Sequence, residues 1–143
     1  MKGFINNLKM LGKSPSELTK KFMTDFTDWN TLAWAASKQE RESGKRTGKA
    51  MAFANESYKE VIVKYCEPGY KYQPISLGSR SAYDPEKHSI VAEEIDGNLA
   101  TVHTERVESN CKTINEFKFK KNGRRWYLTG IEYVDGQERY QSL

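Results

Sequence analysis

The apolar residues of this 143-residue chain change their period once, near Tyr70, and that change decides most of what the chain can become. Before it they recur every three or four residues; after it they alternate. Leu18, Phe22, Phe26, Trp29, Ala33 and Ala36 stand four, four, three, four and three apart, which is one face of an α-helix. Ahead of them, Ser14-Pro15-Ser16-Glu17 is a start signal. Ser14 caps the orphan amides, Pro15 suits the first helical position and Glu17 closes a capping box. Met23 and Trp34 widen the stripe on one flank and Leu32 on the other, so the apolar arc exceeds what a surface helix needs and burial inside the fold is expected. Ser43-Gly44-Lys45-Arg46-Thr47-Gly48-Lys49 ends this helix. A second stripe follows in Ala54, Tyr58, Val61 and Tyr65, flanked by Met51 and Ile62 and stopped by Pro68-Gly69. On its outer side Glu60 and Lys64 have the spacing of an exposed ion pair.

After Tyr70 the pattern is that of strands. Residues 70–77 read as one, followed by a polar loop over 78–87 that contains Asp84-Pro85. Residues 89–95 and 99–108 are β-rich and joined by Asp96-Gly97-Asn98, a tight-hairpin sequence. Residues 115–121 place Phe117 and Phe119 on one face, with Glu116, Lys118 and Lys120 on the other. Asn122-Gly123 then turns the chain into 124–134. There Trp126 and Leu128 share one parity, while Ile131 and Tyr133 share the other, with Gly130 between them. One extra residue would restore all four to one face, so a β-bulge at Gly130 is expected. The layout is α+β: two N-terminal helices packed on one face of a curved antiparallel sheet, in a single domain spanning 1–143.

Charge and composition narrow the class. Aromatic residues make up 12% of the chain and prolines number four, enough large side chains for a core and too little proline for a disordered segment. No apolar run is long enough to span a membrane. The opening stretch MKGFINNLKMLGK, broken by Asn6, Asn7 and Lys9, is a poor signal peptide, and two cysteines build no disulfide framework. A cytoplasmic protein is expected. The net charge of +4 is uneven: residues 1–49 carry +5, residues 50–110 carry −4 and the remainder +3. Such a distribution suits a protein partner of patterned charge at least as well as a phosphate backbone, which calls for one strongly basic stripe, and its simplest reading is a solvated surface.

Catalytic signatures are sparse. His88 and His103 stand in a loop start and a strand, without an HExxH, CxxC, GxSxG or phosphate-loop pattern around them. Cys66, at the end of the second helix, meets a dipole that opposes a thiolate, and Cys111 sits at a loop or strand edge; both read as structural. A cone-shaped α+β fold also admits a small-molecule isomerase or hydrolase, with Asp25, His103 or Tyr58 facing a cavity. The alternative for Asp25 and Asp28 is a pair of exposed helix carboxylates. The basic hairpin Lys118, Lys120, Lys121, Arg124 and Arg125 beside Trp126 and Tyr127 admits a nucleic-acid-binding module. Its simpler reading is the solvent face of an amphipathic hairpin.

The stretch FKFKKNGRRWYLTGIEYVDGQERYQSL, behind helices containing DFTDWN and VIVKYCEPGY, resembles the immunity proteins of the nuclear transport factor 2-like fold. The matching features are a strand, an Asn-Gly turn, a Trp followed by an apolar-Gly-Ile pattern, and a Tyr-Val-Asp-Gly before a short polar tail. The resemblance implies a cystatin-like or nuclear transport factor 2-like cone. It implies, further, a cytoplasmic protein that binds a cognate secreted antibacterial toxin domain of the Rhs, contact-dependent or type VI kind and blocks its active site. No cofactor, metal, nucleic acid or membrane enters that reading, and the oligomeric state is open. Tight inhibition rests on a few buried anchors and charge pairing. The candidate contact residues are Trp34 with the Lys45-Arg46 loop on one side, or the acidic segment on the other. That segment comprises Glu86, Glu93, Glu94, Asp96, Glu105 and Glu108.

Overall fold

Ser14 caps the first helix as its spacing predicts: the Glu17 amide donates to Ser14 Oγ at 3.1 Å, and the Ser14 amide reaches back to the Glu17 carboxylate at 3.4 Å. The computed structural model describes residues 10–143, so most of the opening stretch tested above as a leader lies outside the described residues. Helix α1 (Pro15–Ser43) is followed by α2 (Lys49–Tyr65) and by five strands, β1 (His88–Asp96), β2 (Leu99–Glu108), β3 (Cys111–Asn122), β4 (Arg125–Asp135) and β5 (Glu138–Gln141). The strands form one antiparallel sheet in the order of the chain. Two helices packed on a curved antiparallel sheet make this an α+β protein.

Turn chemistry sets the register. Each hairpin is closed by two residues, and in three of them the first is a glycine at positive φ, Gly97 (61°), Gly123 (66°) and Gly136 (61°), a position that the type II′ turn reserves for glycine. Asn122 therefore ends β3 instead of entering the turn. Ser109 and Asn110, both at positive φ, close β2 onto β3 in the manner of a type I′ turn.

Two bulges bend the sheet. Lys118 pairs with Gly130 and Phe119 with Leu128, which leaves Thr129 as the extra residue on β4. The bulge expected at Gly130 is thus present over Thr129–Gly130, and it returns Ile131 to the buried face of Trp126 and Leu128. Tyr133 follows the same parity but lies beyond the core, half exposed, where it stacks on Tyr140 of β5 at 6.2 Å. A second bulge leaves Val91 unpaired between Ile90 and Ala92 on β1.

The concave side of the sheet is filled with rings. Phe22 lies 5.5 to 6.0 Å from Tyr65, Phe26, Tyr83 and Phe117, tying both helices, the 78–87 loop and β3 into one cluster. Trp29 of α1 donates its indole N–H to the Ala54 carbonyl of α2 at 2.9 Å. The broad apolar arc of α1 is buried at Met23 and half-buried at Trp34, but Leu32 is 61% exposed, because α2 and the sheet cover only the opposite flank. Met51 likewise remains exposed on α2.

Three expectations are corrected. Residues 70–77 form no strand. Pro74 removes a ladder donor, and Tyr70, Tyr72, Ile75 and Leu77 pack on the core as a covering loop instead. The fifth strand is β5, within what reads as a polar tail. That tail folds back: the Ser142 amide donates to Ile131 O at 2.8 Å, and Leu143 is buried. Finally, Lys64 does not pair outward with Glu60; its ammonium reaches Asp25 of α1 at 2.7 Å.

Candidate functional site

The residues that invite an acid–base reading do not converge. Asp25 lies on the wall between α1 and α2, bound by Lys64 and by the Tyr65 hydroxyl at 2.5 Å. Burial, and then the Asp25 carboxylate, push the Tyr65 phenol upward and keep it neutral. Tyr58 is a core ring 4.7 Å from Trp29 and 5.3 Å from Tyr72, and burial raises its pKa as well. His103 projects from the opposite, convex face of the sheet, its neighbours in register, Val102 and Thr104, being the buried ones. The sheet therefore separates His103 from Asp25 and Tyr58. His88 opens β1 and is buried; its Nδ1 meets Asp84 O at 3.0 Å, its Nε2 has no partner, and burial lowers its pKa. Burial also pushes the Cys66 thiol up to about 12, whereas Cys111, the first residue of β3, is exposed. Among the described residues no helix is long and apolar enough to cross a membrane, and no cluster of metal-ligating side chains forms.

On the convex face, charge runs across the strands. Glu116 of β3 is buried between two cations, with Lys118 Nζ at 3.0 Å and the Arg139 guanidinium of β5 in a short ion pair; the His103 ring stands alongside, its Nδ1 at 3.6 Å. Burial alone would raise the Glu116 pKa, but the hydrogen bonds from Arg139 and Lys118 win and hold it below the usual carboxylate value. Arg139 also reaches Glu132 at 3.5 Å, and His103 Nε2 faces Glu94 at 3.6 Å.

Four of the six acidic candidates are engaged within the chain. The Glu93 carboxylate accepts the Ser16 amide at 3.1 Å, capping the first turn of α1 from the edge strand. Glu94 faces His103, Glu105 pairs with Lys112 at 2.7 Å, and Glu108 binds both Arg106 (2.7 Å) and Arg80 (2.9 Å). Asp96, at the β1–β2 turn, and Glu86 are exposed, and their carboxylates enter no ion pair among the described residues. Lys45 and Arg46 sit exposed in the loop after α1. Trp34, half-buried beneath the Arg41 guanidinium at 5.2 Å, lines a polar pocket of about 280 Å³ with Asn30, Arg80 and Lys87. Asn30 itself is spent on the Gly78 backbone, donating to its carbonyl at 2.9 Å and accepting its amide at 3.1 Å. The Lys45–Arg46 loop and Glu93 stand at opposite ends of α1, a helix of 29 residues and about 43 Å.

One basic surface gathers residues from separate parts of the sequence. Lys13, Lys20, Lys21 and the Asp25–Lys64 ion pair line a cleft of about 440 Å³ between α1 and the end of α2, with Met10, Thr24 and Tyr65 also on its walls. The β3–β4 hairpin tip joins this end, because the Gly12 amide donates to Arg124 O at 3.5 Å and the Arg125 guanidinium donates to the Lys64 carbonyl. Arg125 is thus buried and no part of a solvent-facing hairpin, which corrects the simple amphipathic reading at that position. The side chains of Lys13, Lys20, Lys21, Lys120 and Arg124 enter no ion pair among the described residues. Sequence reasoning registered the positive first and last thirds of the chain, but nothing in the spacing showed that they meet.

Comparison with family models, with curated proteins and with solved structures returns no match.

Proposed function

We propose that this protein is an immunity protein: a cytoplasmic binder that neutralises a cognate secreted antibacterial toxin domain by occluding its active site. Two things support the reading. The C-terminal sequence resembles the immunity proteins of the nuclear transport factor 2-like fold, and the hollow in which a relative of that architecture would hold a substrate is occupied by Phe22, Phe26, Tyr65, Tyr83 and Phe117. The filled hollow is the observation that carries the proposal. With Asp25 and His103 on opposite sides of the sheet, the surviving resource of the molecule is its surface, where charge and shape recognise a second macromolecule. The chemistry then belongs to the toxin, and this chain contributes contact area. Co-expression with the toxin domain encoded beside this gene is the test. Rescue of growth and co-purification of the two proteins are expected; a toxin that stays lethal and elutes alone refutes the reading.

A further inference from the structure

We infer that the basic end of the molecule, formed by the Lys13–Lys20–Lys21–Lys64 cleft and the adjoining Lys120–Arg124 hairpin tip, is a docking surface for a carboxylate-rich protein face; this inference rests on the immunity reading, in which that face belongs to the toxin domain. The argument begins with where charge is cancelled. Glu93, Glu105, Glu108, Glu116 and Glu132 each face a cation or a helix amide of the chain itself, and Glu94 faces the His103 imidazole. The carboxylates on the helix turns of the basic end are committed too, Glu17 to the Ser14 amide and Asp25 to Lys64 and Tyr65. Lys13, Lys20, Lys21, Lys120 and Arg124, from two segments about a hundred positions apart in sequence, stand at this end and enter no ion pair among the described residues, beside the Lys64 ammonium that Asp25 holds. Holding like charges together is unfavourable, and an acidic partner relieves it.

The shape of this end favours a protein over a nucleic acid. Stacking platforms for bases need free aromatic faces. Here Lys121 Nζ sits 5.7 Å from the Trp126 ring centroid and Arg125 Cζ sits 4.4 Å from that of Tyr127, so cations already occupy a face of both rings. The recess is side-chain sized and lined by Lys13, Lys20, Lys21, the Asp25–Lys64 pair, Met10 and Tyr65. A protruding acidic loop can insert a carboxylate among those ammonium groups and bury apolar stem against the wall, whereas a duplex backbone meets only the rim. The same arrangement answers the net charge of +4: an inhibitor with this surface selects a partner whose exposed face is acidic.

Fluorescence anisotropy with a labelled Glu/Asp-rich peptide and with a labelled DNA duplex tests the inference on the intact chain. At about 50 mM salt the peptide binds, and K13E/K20E/K21E weakens it by about tenfold or more, while E86Q/D96N leaves it unchanged. A K120E/R124E variant, altered only at the hairpin tip, gives a second loss should the triple variant melt early. Absence of peptide binding, or equal binding by both basic-end variants, overturns the inference. So does a duplex held more tightly than about 1 µM at about 150 mM salt, beyond the range of non-specific contacts. Co-expression with the toxin domain separates the two levels. Protection retained by K13E/K20E/K21E sinks the docking surface and leaves the immunity reading standing. Lethality with the unaltered chain, alongside peptide binding that the triple variant loses, sinks the immunity reading and leaves the surface.

Discussion

At the scale of single residues, the consequences follow from burial and protonation. Phe22 is 1% exposed and touches four other rings, so Phe22→Ala leaves a cavity where two helices, a loop and a strand meet. A loss of about 3–5 kcal/mol in urea denaturation is expected. Acid sensitivity comes in two stages. The pKa of His88 is depressed in the folded state, so the unfolded chain takes up the proton first as pH falls below about 6.5. Stability supplied by the neutral, buried imidazole is present above that pH and is lost as pH falls toward the folded value; His88→Gln flattens this part of the curve. Glu116 is depressed as well, so its contribution holds above the usual carboxylate pKa and disappears as pH falls through the lower folded value. Melting temperatures measured from pH 8 to pH 3 for the parent and for His88→Gln check both stages. The two thiols separate equally clearly. Cys111 is exposed and Cys66 is buried with its pKa pushed up to about 12, so a thiol reagent at neutral pH labels one sulfur in the native chain and both in denaturant.

At the scale of elements, legibility in the sequence depended on whether the signal was local. The start of α1 was readable because a capping box lies within four consecutive residues, and the β4 bulge because a parity break sits beside a glycine. Strand β5 was not, since Glu138, Arg139, Tyr140 and Gln141 offer no apolar alternation; only Asp135-Gly136 marks the turn before it. The apolar 70–77 segment misled for the opposite reason: its side chains are core-seeking, but Pro74 and the lack of a partner strand leave its backbone a loop. Glu93 as the cap of α1 was invisible, because its partner Ser16 is 77 positions away. The β2–β3 turn makes an element-scale prediction. Ser109 at φ 51° and Asn110 at φ 64° occupy positions that the type I′ turn prefers to fill with Asn-Gly. The double change Ser109→Asn/Asn110→Gly is expected to add about 1 kcal/mol, seen as a rise of a few degrees in Tm.

At the scale of the whole molecule, protection is graded across the sheet. β2, β3 and β4 have neighbours on both sides and supply Val102, Phe117, Leu128 and Ile131 to the core, whereas β1 and β5 are edges whose residues are nearly all exposed or half-exposed. Amide hydrogen exchange should therefore be slowest in β2–β4 and fastest in β5 and the outward amides of β1, a ranking that uniform protection would contradict. The candidate site belongs to this scale too. The uneven charge was legible as a sum over thirds of the chain, but the convergence of Lys13, Lys20, Lys21, Lys64 and Arg124 arises only once α1, α2 and the β3–β4 hairpin are packed together.

Every strand of the sheet is joined to the next by the shortest hairpin available, two residues each. Such connections have no slack to donate. Under the proposed immunity role, a lineage that follows a changing toxin cannot do so by growing longer loops from the sheet without disturbing strand register. Its freedom lies in swapping side chains on the rigid helix flanks and in remodelling the stretch between α2 and β1, so diversification should proceed by substitution at constant length along the sheet and by insertion only there.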